Sequence, residues 1–256
     1  MRTLLTLVLL VAACAHHPVA APLVPPGPTP LVAASFADGG TCTGERLPAV
    51  SADGKRVAVL DADEIMGEPP APGCSLLLLA DGQKPDSVDL LTWDDSQGPP
   101  EDADAGIAGR VATANARLAA GAWVQLTAGT VTANAPSEDD LEAETPPPRQ
   151  PSQGTVGELT LTYAEPRFTV TGPGGQVLLD RPMTAWSHDD ANPACAGMEG
   201  EDGGEGGCAR CHPPAYIDAA WADAGRHVML VHVGYAMARG EMNCLYGPTY
   251  EVVRLP

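Results

Sequence analysis

The sequence predicts a mainly β domain carrying one helix and stapled by disulfides, either a β-sandwich or two packed sheets containing related hairpins. Three observations lead there. Short β-prone segments recur, each bounded by Gly, Pro or Asp; apolar residues fall at helical spacing in a single stretch; and six cysteines lie beyond residue 40. Only 4% of the chain is aromatic, so its core rests on Val, Leu and Ala and gains from covalent staples.

The expected strands lie at residues 57–60, 76–79, 88–93, 123–127, 159–163, 168–171, 177–179, 228–233 and 250–255. Residues 167–180 give the clearest hairpin, because Gly172, Gly174 and Gly175 supply the positive φ of a tight reversal. Ile107, Val111, Ala114 and Leu118 predict a helix near residues 105–120, with Asp104 as its N-cap and Gly121 as its C-cap glycine. Two interruptions are expected to be mobile loops: the acidic, then Pro-rich residues 137–154 and the Gly and acid run at 199–207.

The amino terminus carries its own signal. Arg2 precedes an uncharged apolar stretch at residues 4–13, which is shorter than the roughly 20 apolar residues that span a bilayer. The stretch ends in Val11-Ala12-Ala13-Cys14, which resembles the lipobox of bacterial lipoprotein precursors. That resemblance implies cleavage after Ala13, acylation of Cys14 and export to a cell-envelope membrane, inner or outer. Acyl chains contribute about 0.8 kcal/mol per buried methylene, so several of them make a stable anchor. Residues 18–30 are rich in proline and favour extended polyproline II. Residues 14–34 are therefore expected to form a lipidated tether, and residues 35–256 the β domain.

Net charge narrows the partners. With 14 Lys and Arg against 33 Asp and Glu, the chain carries −19, which argues against nucleic acid and against attraction to anionic headgroups. The lipid on Cys14 is then the expected membrane contact, and an envelope protein or glycan the expected partner. The acidic runs read as solvated surface, since none has the ligand spacing of a calcium loop.

Residues 47–60 and 217–231 form a weak internal repeat, each reading as strand, Asp or Gly turn, strand. Both copies resemble the hairpin of TolB-type β-propellers. Two copies fall short of the four blades a propeller needs, so packed sheets with related hairpins are expected instead. The whole chain resembles uncharacterised lipoproteins of myxobacteria, a resemblance that implies no activity. Superposing the repeats places Cys74 near Cys244 and Cys42 near Cys211. This suggests bridges Cys42–Cys74 and Cys211–Cys244, with Cys195 left for Cys208.

Two chemistries compete with a non-enzymatic role. Cys208-Ala209-Arg210-Cys211-His212 fits the C-x-x-C-H pattern of covalent haem c attachment, with Met229, Met237 or Met242 as the opposite ligand. The β-prone surroundings and the proposed pairing both oppose that use, so no cofactor is the first expectation. His188, Asp189, Asp190, His212, His227 and His232 could in principle include zinc ligands for a hydrolase, but without the spacing of a known site. His232, in an alternating strand, reads more simply as a hydrogen-bonded histidine. No catalytic motif is present, so no residue is assigned to catalysis, and whether the chain is an enzyme stays open.

Overall fold

The computed structural model describes residues 23–36, 40–65, 71–81, 83–92, 95, 100–137, 140, 149–183, 190–191, 210–211, 215–236 and 249–256. The fold is mainly β, built from antiparallel sheets with one long helix.

The first strands are β1 (Leu31–Ser35) and β2 (Thr41–Glu45), which pair with each other. A five-stranded sheet follows in the spatial order β6-β5-β4-β3-β7. Its members are β3 (Ala49–Ser51), β4 (Arg56–Ile65), β5 (Ala71–Ala80), β6 (Asp86–Leu91) and β7 (Trp123–Gln125). Helix α1 (Pro100–Ala119) lies between β6 and β7 in the chain. Next come the short β8 (Thr127–Ala128) and β9 (Thr130–Thr132). A second five-stranded sheet, ordered β13-β12-β11-β10-β9, adds β10 (Ser152–Val156), β11 (Leu159–Ala164), β12 (Arg167–Thr171) and β13 (Val177–Pro182). The two-residue strands β14 (Asp190–Ala191) and β15 (Arg210–Cys211) pair with each other. A four-stranded sheet, ordered β18-β17-β16-β8, is completed by β16 (Ala215–Asp223), β17 (Val228–Tyr235) and β18 (Thr249–Arg254).

Strand alternation sorts the apolar residues into three cores and so stacks the layers. Ala49, Ala58, Leu76 and Leu90 of the β3–β7 sheet meet Ile107, Ala114 and Leu118 of α1 and Val32 of β1. The opposite face of that sheet, with Val50, Val57, Val59 and Leu79, packs on Val228, Leu230 and Val252. The other side of the four-stranded sheet, with Met229, Val231 and Val253, packs on Leu161, Tyr163, Phe168 and Val170 of the β9–β13 sheet. The four-stranded sheet is thus sandwiched between the two five-stranded ones.

One continuous segment joins the three sheets. Residues 123–132 pair in turn with β3, through β7, with β16, through β8, and with β10, through β9. Between these pairings Leu126 N–H donates to Pro48 O (2.9 Å) and Gly129 N–H to Ala220 O (2.8 Å). The crossing needs a glycine: a Cβ on Gly129 would lie 2.4 Å from Val156 Cγ2 and 2.5 Å from Thr155 O.

Each of the nine expected segments overlaps a strand and six lie wholly within one; residues 88–93 outrun β6, which ends at Leu91, with Trp93 outside the described residues, residues 123–127 take in β7 and the start of β8 with Leu126 between them, and residue 255 lies just past β18. The hairpin at residues 167–180 forms with positive φ at Gly174 and Gly175, whereas Gly172, expected to share it, has φ −89°. The helix begins earlier than expected, at Pro100, a residue whose missing N–H costs nothing in a first turn. Asp104 is therefore not the N-cap. Its carboxylate instead accepts a hydrogen bond from Phe36 N–H (3.0 Å), while Asn115 both accepts from Val32 N–H (2.8 Å) and donates to Val32 O (2.9 Å), tying β1 to α1. Gly121 does follow the helix, but for a steric reason. Trp123 Nε1 donates to Leu118 O (2.7 Å), and a Cβ on Gly121 would sit 2.9 Å from that nitrogen.

The tether joins the domain before residue 34. Val24 O accepts from Arg226, Gly27 N–H donates to Trp123 O (3.0 Å), and Val32 of β1 is buried. Within the acidic, Pro-rich interruption, residues 138–139 and 141–148 lie outside the described residues, as does the run at 199–207. The end of the first interruption is strand rather than loop, since Ser152 opens β10.

Candidate functional site

Of the expected bridges, Cys42–Cys74 is formed, with Cα atoms 6.6 Å apart, and links β2 to β5. Cys211 lies in β15 opposite Asp190. Cys14, Cys195, Cys208, Cys244, His188, Asp189, His212, Met237 and Met242 lie outside the described residues. Met229 is fully buried in the core between the four-stranded and β9–β13 sheets, so its packing does not present it as a haem ligand. His227 places Nδ1 2.5 Å from the C-terminal Pro256 O. Among the described residues, no three His, Cys, Asp or Glu side chains converge as a metal site.

His232 has a more specific environment. It lies on β17 with side-chain exposure of 18%, and its Nδ1 is 2.5 Å from Oδ1 of Asp218, which is 35% exposed. The contact depends on an irregularity of β16. Ile217 pairs with Val233 and Ala219 with His232, so Asp218 is the extra residue of a bulge. Bulges re-aim side chains, and here the carboxylate turns to the His232 face while Ile217 stays in the core.

Aromatic side chains gather on the same face. The Tyr250 ring lies 4.7 Å from the His232 ring and 6.3 Å from that of Trp221, tilted in both cases. Tyr216 lies across Gly234, two residues from His232 along β17. A Cβ on Gly234 would come within 2.5 Å of the Tyr216 ring, so glycine is what lets the ring settle there. Burial, and then the neighbouring Asp218 carboxylate, raise the Tyr216 phenol above its ordinary 10.0, which keeps its proton in place. Tyr216 also lines a cavity of ≈ 330 Å³ beside Asn134, Arg149, Ser152, Tyr163 and Glu165, where Arg149 pairs with Glu165.

Comparison with protein families, with curated proteins and with solved structures returns no match to the chain. Asp218 engages His232 through Oδ1 alone. Among the described residues no protein group hydrogen-bonds Asp218 Oδ2, the Tyr216 hydroxyl or the Trp221 indole N–H. The Trp221 and Tyr250 rings themselves pack against the core between the four-stranded sheet and the β3–β7 sheet, so the Asp218 and His232 pair sits at the edge of that layer. Of these residues, sequence reasoning singled out His232 alone. The strand alternation that placed it was visible, but the bulge that delivers Asp218 was not.

Proposed function

We propose that this chain is an exported lipoprotein, held to a cell-envelope membrane through Cys14, whose β domain binds an envelope component rather than transforming it. The observation that carries the reading is the Cys42–Cys74 disulfide. Structural disulfides persist in oxidising, extracytoplasmic compartments, and this one supports the export that the Val11-Ala12-Ala13-Cys14 sequence implies. A binding role fits a stack of packed sheets that presents the Asp218 and His232 face with no nucleophile assigned beside it.

Replacing Cys14 with Ser tests the anchor. The variant loses its acylated thiol and moves from the membrane pellet to the soluble exported fraction, while wild type stays with membranes in high salt. A Cys14→Ser protein that still pellets in high salt contradicts the proposal.

A further inference from the structure

We propose that the cavity beside the end of β9, the start of β10, the end of β11 and the start of β16 binds a small free α-amino acid in its zwitterionic form. This goes beyond the binding role proposed above, because it assigns a small ligand to a pocket of the chain and does not depend on the anchor. The cavity has a volume of ≈ 330 Å³, at the lower end of the roughly 300–1,000 Å³ of small-molecule pockets. That space suits a molecule of amino-acid size. Pro136, Pro151, Ala164 and Ala215 give it apolar wall, which favours a small or aliphatic side chain, and Asn134, Arg149, Ser152 and Glu165 give it polar groups.

The charges set the ligand class. Arg149 and Glu165 form an ion pair in the lining, with side-chain exposures of 48% and 23%, so an incoming ligand can reach both. Arg149 donates to Glu165 from Nη1, and among the described residues no other group takes its remaining N–H donors. Those donors suit a carboxylate, while Glu165 attracts an ammonium. An α-amino acid carries both groups on one carbon, so its charges lie side by side, as those of Arg149 and Glu165 do. A longer peptide, whose charged ends lie farther apart, does not match. Asn134 Nδ2 donates to Pro151 O (2.6 Å), which leaves its Oδ1 as a second acceptor for the ammonium. Ser152, 2% exposed, accepts from Ile217 N–H (3.2 Å), and its own O–H has no acceptor among the described residues, so it can donate to the ligand. The chain's −19 charge repels a free anion and Arg149 opposes a plain cation, whereas a zwitterion meets neither penalty.

The test is titration calorimetry of the full protein in a non-ionic detergent with L-alanine, D-alanine, L-valine and L-leucine, and with the amide and the N-acetyl derivative of each. At least one amino acid binds. Its amide, which lacks the carboxylate, and its N-acetyl form, which lacks the ammonium, each bind about tenfold more weakly or not at all. Arg149→Gln and Glu165→Gln each weaken binding of that amino acid about tenfold, with unchanged thermal melts because a partly exposed pair contributes little to stability. Absence of binding by every amino acid overturns the proposal. So does a derivative that binds as tightly as its parent, or an affinity unchanged in either variant. The assay needs no membrane attachment, so its failure is distinct from failure of the Cys14 anchor.

Discussion

Arg226 donates from Nε to the carbonyl of Ala52, 3.3 Å away, so the turns of the two repeated hairpins meet. The same guanidinium pairs with Asp223 at 2.7 Å, both side chains being nearly buried, and also reaches Val24 O at 2.7 Å. Arg254 adds bonds to the carbonyls of Gly54 and Lys55. Removing one partner of a buried pair leaves the other charge uncompensated, at a cost of about 3–5 kcal/mol. Arg226→Ala is therefore expected to lower unfolding free energy by about that amount in urea titrations. A loss within about 0.5 kcal/mol, the usual range of a surface substitution, would show that the clasp between the turns is unimportant.

Gly129 is expected to be intolerant of any side chain. Its β-carbon would meet both Val156 and the Thr155 carbonyl, and a backbone oxygen cannot step aside as a flexible side chain can. Gly129→Ala should destabilise the protein by about 1–3 kcal/mol, as overpacking does. Gly109→Ala, in α1 with open space around the Cβ position, should be neutral or stabilising by up to about 1 kcal/mol. Thermal melts of both variants compare the two sites, and equal melting temperatures would contradict the close crossing.

How far the sequence reveals this architecture depends on how local each feature is. Alternation and turn residues are local, and they disclosed nine strand segments, the helix and the hairpin of β12 and β13. The Cys42–Cys74 pairing was legible because the repeat gave the cysteines matching intervals. Strand β10 escaped because Gln153 and Gly154 interrupt its alternation, and β1 because it follows a proline-rich stretch. The pairing of residues 123–132 with three sheets is entirely non-local. Nothing in Thr127 or Thr130 names its partner strand. Asp218 was hidden for a related reason, since a bulge changes which way a side chain points without altering the residue pattern.

Asp95 makes stability depend on acid. Burial raises its pKa, but hydrogen bonds from Arg110 and from the backbone and hydroxyl of Thr92 outweigh that and hold it below 3.8. A carboxyl depressed in the folded state contributes stability that is complete above its unfolded pKa and lost as pH falls through the folded one. Arg110 also donates to Leu90 O, so the pair secures α1 to β6. Asp95→Asn is expected to cost about 1–3 kcal/mol at pH 7, and less at a pH well below 3.8. Urea titrations at both pH values check the difference, and a cost independent of pH would contradict this role.

The most direct test of the account is the intact mass of the protein isolated from its host's envelope, measured before and after reduction. The account predicts a chain that begins at Cys14, carries acyl groups, and gains two hydrogens on reduction for each disulfide, Cys42–Cys74 among them. An unlipidated chain that retains residues 1–13, or a mass increment equal to haem that survives reduction, would contradict it.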